Sequence, residues 1–168
     1  MDRQGGFSLF ELVATIVVLA ILAGVGARIL DHGVSTYDTV TRTVGINSRL
    51  NYAMERLTRE ISATNYNGAG YDMAAMTATR LVFTKQDGVT VTIDGSGAPL
   101  LILSYDTPAV SATLTDDLSA LTLTYLQADG VTAATGATDV AFVVISLTLT
   151  NGTATFSRQR RVALRGRL

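Results

Sequence analysis

The chain has 168 residues, enough for one modest domain and short for two. Charged residues make up 16% and the net charge is −1, so no bulk electrostatic attraction to nucleic acid is built in. With no cysteine, the chain lacks the side chains for disulfides, thiol chemistry and cysteine-ligated metal sites, and a single histidine, His32, leaves almost no material for histidine-based triads or multi-histidine metal sites.

Residues 1–6 are a short leader ending in Gly5-Gly6. Phe7-Ser8-Leu9-Phe10-Glu11-Leu12 follows, and Leu12 through Ala27 carry no charge. Phe7 to Ala27 supplies the roughly 20 apolar residues that cross a hydrocarbon core of about 30 Å. Arg28 and Asp31 mark the outer end of that run. Glu11 is the anomaly, because a charge at a bilayer centre costs about 2.5–3.5 kcal/mol on insertion scales. Three readings compete. A buried core helix fits poorly, since the run is apolar on every side and the domain is small. A secretory signal finds a small-residue cleavage site in Val25-Gly26-Ala27, but its start pairs Asp2 with Arg3 and Glu11 interrupts its apolar region. A retained transmembrane helix has the required length from Phe7 to Ala27, with Arg28 and Asp31 beyond its outer end.

Met1–Gly6 followed by Phe7-Ser8-Leu9-Phe10-Glu11-Leu12 resembles the class III signal of type IV prepilins and pseudopilins. That family's consensus is glycine, phenylalanine, threonine or serine, two aliphatic residues, glutamate and leucine. The resemblance implies that a membrane peptidase cuts after Gly6 and methylates the new terminus at Phe7. It also implies that the Glu11 carboxylate neutralises the terminal amine of a neighbouring subunit. Two opposite charges, each expensive in an apolar bundle, become tolerable when paired. Two positions depart from the family: Phe10 replaces an aliphatic residue, and Arg28 stands where many pilins have a proline. Gly24, Gly26 and Gly33 could supply flexibility there instead.

Beyond Leu30 the apolar residues Val34, Tyr37, Val40, Val44, Leu50, Met54, Leu57 and Ile61 step mostly by three and four. Asp38–Arg42 and Glu55–Arg59 are i,i+4 pairs with the acid on the favourable side. A helix from Phe7 to Ile61 is expected, apolar all round in its first half and amphipathic in its second. Asn65–Thr79 reads as a connecting loop. From Arg80 the period becomes two. Leu81–Phe83 and Val89–Ile93 flank an Asp87-Gly88 turn, Leu100–Tyr105 follows, and Leu121–Tyr125 ends near Asp129-Gly130. Val140, Phe142 and Val144 share one face whereas Ile145, Leu147 and Leu149 share the other, which predicts a bulge or a strand buried on both sides. Asn151-Gly152 predicts a hairpin returning through Thr153–Leu164.

The expected architecture is α+β, a long helical spine packed on five or six mostly antiparallel strands. Its divisions are a cleaved leader at 1–6, a transmembrane and assembly helix at 7–30, an amphipathic helix at 31–64 and a β-rich head at 65–168. Glu55–Ile61 and the terminal Arg161–Leu168 resemble minor pilins, the J-type pseudopilins of type II secretion and the minor pilins of mannose-sensitive haemagglutinin pili. That resemblance implies a filament-priming or capping subunit. Its partners would be sister subunits, the prepilin peptidase and methyltransferase, and an inner-membrane assembly platform. It would sit in the inner membrane with its N-terminus cytoplasmic before processing and its head on the outer face.

Arg158, Arg160, Arg161, Arg165 and Arg167 form the one charge cluster. A solvated strand edge explains it first, contact with an acidic subunit second, and nucleic acid last. Asp116-Asp117 and Asp129 invite a calcium reading, but none follows the EF-hand spacing, and turn formation is the better account. Asn151-Gly152-Thr153 matches the glycosylation sequon, although Asn-Gly is already explained as a turn. No cofactor, metal site or catalytic set is expected.

Overall fold

The computed structural model describes residues 8–152 and 154–165; the cleavage-site residues Gly6 and Phe7, together with Thr153 and Arg167, lie outside them. Among the described residues the element order is one helix followed by eight strands, an α+β fold. The chain divides into two compact units, 1–42 and 43–168.

Helix α1 (Leu9–Ser62) enters both units as one uninterrupted helix. It passes through Gly24, Gly26, Gly33 and Gly45 without a break. No proline occurs within it, and a glycine in a helix interior costs only about 1 kcal/mol relative to alanine. In the first unit its apolar side chains are almost all exposed, from Leu9 and Phe10 to Leu30. Such a surface needs an apolar environment the single chain does not supply, and α1 is long and apolar enough to cross a membrane.

In the second unit the far end of α1 buries Ile46, Leu50, Ala53, Met54, Leu57 and Ile61 in the core. The expected stripe therefore divides. Leu50, Met54, Leu57 and Ile61 are core, whereas Val34, Tyr37, Val40 and Val44 stay exposed. Glu55 and Arg59 pair at 2.9 Å as expected. Asp38 and Arg42 do not come within ion-pair distance, since nothing beside this exposed turn holds two long side chains together.

Strands β1 (Met73–Met76), β2 (Arg80–Thr84), β3 (Thr90–Asp94), β4 (Leu101–Asp106) and β5 (Ala109–Thr115) form an antiparallel sheet in that order. β6 (Leu118–Leu126), β7 (Phe142–Asn151) and β8 (Ala154–Ala163) form a second. Cross-strand partners share a face, so Leu81, Ile93 and Leu103 make one buried row and Phe83 and Val91 another, as the period-two pattern requires. Asp87 closes the β2–β3 turn by accepting the Val89 N–H at 3.0 Å, with Gly88 at φ +83°. At the β7–β8 turn Gly152 takes φ +61°.

Two expectations are corrected, the 65–79 loop and the strand count, and the two alternatives at Val144 and Ile145 are decided in favour of a strand buried on both sides. Among the described residues the strands number eight, because β1 lies inside the stretch read as a loop and β5 was not anticipated. The phase slip at Val144 and Ile145 is not a bulge, since β7 pairs with both neighbours in continuous register there. Val144 is instead covered on its own face, opposite Arg161, making β7 a central strand buried locally on both sides. The register shift of this sheet falls between Leu118 and Ala120 on β6.

Candidate functional site

The N-terminal turn of α1 is built by Ser8. Its Oγ accepts the Glu11 N–H at 3.2 Å and its carbonyl accepts the Leu12 N–H at 3.1 Å. Ser8 is therefore the N-cap and Glu11 the third helical residue, the spacing of a capping box. A carboxylate in the first turn also faces the positive end of the helix dipole, worth about 0.3–1 kcal/mol. This local role for Ser8-Leu9-Phe10-Glu11 is legible in the sequence as S-x-x-E and was missed there.

One turn on, Thr15 donates its hydroxyl to the carbonyls of Glu11 and Leu12, both at 2.9 Å. Its polar group is thus spent on the backbone, and the face shared by Glu11, Ala14, Thr15, Val18 and Leu19 presents methyl and methylene groups. The Glu11 carboxylate is the charge on that face, and among the described residues no donor pairs with it. Geometrically, it is an anion at the head of an exposed apolar helix.

The other sequence candidates fall elsewhere. Asp129 binds its own turn, accepting the N–H groups of Val131 and Thr132, each at 2.9 Å. Asp116 and Asp117 do not form a turn of that kind; they hold Arg49 of α1, Asp117 at 2.5 Å and Asp116 at 3.3 Å. Among the described residues no group of three histidine, aspartate or glutamate side chains converges on one point. Arg161 packs over the Phe142 ring, 5.7 Å from its centre. Arg158 donates to the Asn51 side chain. The structure does not bring the arginines together as one patch: Arg158 and Arg160 lie on the face of β8 opposite to Arg161.

A second ionic group was not anticipated. Glu60, 6% exposed, receives Arg56 at 3.0 Å, the Tyr105 hydroxyl at 2.9 Å and Lys85 at 3.8 Å. Arg56 also donates to the Tyr105 oxygen at 2.6 Å. Burial first, then the hydrogen bond to Glu60, pushes the Tyr105 phenol above its ordinary value. These residues join the end of α1 to β4 and to the turn after β2. They form a structural cluster in which no buried side-chain polar atom lacks a partner.

Residues 1–27 match the family model of the prokaryotic N-terminal methylation motif. No curated protein and no solved structure matches the chain. The matched segment contains Gly6, Phe7 and Glu11, and the match supports a type IV pilin-like protein with a membrane-anchoring helix.

Proposed function

We propose that this chain is a prepilin-like structural subunit, cleaved between Gly6 and Phe7, methylated at Phe7, and assembled with sister subunits through its apolar helix. The reading is carried by one observation: the methylation motif at 1–27 coincides with the start of a helix whose large apolar side chains from Leu9 to Leu30 are left exposed. In this account Glu11 pairs with the positive amine of a neighbouring subunit's processed terminus. Neither charge is cheap in a hydrocarbon bundle, and each removes the cost of the other. The finer role is that of a minor pilin or pseudopilin, priming or capping a type IV pilus or a type II secretion pseudopilus. The peptidase, the methyltransferase and an inner-membrane platform are its partners, and its head lies outside the inner membrane. It works as a structural subunit and performs no catalysis.

The pairing role is tested with Glu11→Ala and Glu11→Lys in the native assembly system. Both variants are expected to insert and be processed, while disulfide-independent cross-linking to sister subunits falls about tenfold, as the loss of about 1.4 kcal/mol of pairing would produce. Normal cross-linking and normal filament or secretion output from Glu11→Lys would overturn the pairing role.

A further inference from the structure

β8 is the outermost strand of its sheet, ten residues long, and among the described residues no strand pairs with its far side. Its register sets Arg160 opposite Ile145 and Arg158 opposite Leu147. Those partners, with Val143 and Leu149, form the buried row of β7. The two arginines therefore continue the core face of the sheet, where packing alone would place apolar side chains. They line a groove with Asn51, Met54 and Glu55 of α1. Arg158 is held by a neutral amide, Asn51, and Glu55 is already engaged by Arg59 at 2.9 Å. Among the described residues neither Arg158 nor Arg160 has a carboxylate within ion-pair distance.

Inward-pointing charge on an edge strand repels strand addition by apolar segments. The repulsion is selective. An apolar strand would bury two unpaired guanidinium groups, whereas a strand with carboxylates at alternate positions would meet both, because side chains two residues apart share a face at about 6.6 Å. The other edge strands lack this feature: β1 has four residues, and neither β5 nor β6 carries a charge.

We propose that the free edge of β8 receives an extended acidic segment of a partner protein, which adds as a fourth strand and sets alternate carboxylates against Arg158 and Arg160. Main-chain hydrogen bonds to the edge hold the segment, and the two ion pairs select it. The inference is independent of the role of Glu11.

The test uses the full chain in detergent micelles and a labelled ten-residue peptide alternating threonine and glutamate. A second peptide has the same composition with its glutamates in one block, and a third replaces glutamate by lysine. The alternating acidic peptide is expected to bind, to slow amide exchange along β8, and to outcompete the block peptide about tenfold. Arg158→Glu with Arg160→Glu should lose that peptide and gain the lysine one. Arg158→Gln with Arg160→Gln should lose it without gaining the other, and Arg161→Glu on the opposite face should keep it. Equal affinity for the two acidic peptides, undiminished binding by the glutamine pair, or no binding at all would overturn the proposal. So would preferential binding of a DNA duplex through the same two arginines.

Discussion

At the scale of single residues, Glu11 and Glu60 sit on one helix and have opposite circumstances. Glu11 lies in the exposed first turn without a partner among the described residues, and Glu60 is enclosed by Arg56, Lys85 and Tyr105. Removing one partner from a buried charge cluster strands the others. Glu60→Ala is expected to destabilise the second unit by about 2 kcal/mol, less than the roughly 3–5 kcal/mol of a fully buried pair because Arg56 is a third exposed. Glu60→Gln still accepts the Tyr105 hydrogen and should lose less; thermal melts of the full chain in detergent check both, and an unchanged midpoint for the alanine variant would refute the cluster's role. Glu11 was legible because its anomaly is local, one charge in an uncharged run. Glu60 was not, because its partners Lys85, in the turn after β2, and Tyr105, in β4, are brought near only by the fold. Arg49 with Asp116 and Asp117 escaped for the same reason.

At the scale of elements, strands were read from sequence where their two faces differ, where an apolar run is long enough to be buried on both, as in β7, or where a turn signal such as Asn151-Gly152 announces the return strand. β2, β3 and β6 alternate between buried and less buried positions over most of their length and were visible in the pattern. β5 is Ala-Val-Ser-Ala-Thr-Leu-Thr, exposed over most of its length, so no apolar face announces it. β1 is four residues of methionine and alanine, too short to show a period. Contacts between sheets were equally hidden. A Cβ added to Gly95 would stand 2.9 Å from the Cβ of Leu121 and 2.8 Å from its Cδ2, where the end of β3 meets β6. Gly95→Ala should therefore cost about 1–3 kcal/mol by overpacking, and a melt unchanged from wild type would contradict that contact. The turn before β7 carries its own pH dependence. Amides of Thr135 and Gly136 hold the Asp139 carboxyl down at about 2. A depressed carboxyl contributes stability above its unfolded value of about 3.9 and loses it as pH falls toward the folded value. The advantage of wild type over Asp139→Asn should be constant above pH 5 and shrink between about pH 4 and 2. An advantage that persists unchanged at pH 2 would contradict the assignment.

At the scale of the whole molecule, the sequence already separates an apolar helix from a β-rich domain, because hydropathy and periodicity change where the environment changes. What it left open was where the amphipathic stripe stops being core. The answer, between Val44 and Ile46, depends on which turns of α1 the sheets cover, and that is a property of the assembled second unit. The exposed stretch from Leu9 to Val44 shows no cover within the described chain, and the account assigns it to lipid and sister helices. The central claim is that this surface belongs to a processed prepilin. Intact-mass and N-terminal peptide mass spectrometry of the protein, recovered from cells containing a prepilin peptidase, tests it most directly. The account predicts a chain beginning at N-methyl-Phe7, with Glu11 four residues inside the new terminus. A mature chain beginning at Arg28, or one retaining residues 1–6 in the presence of active peptidase, would contradict it.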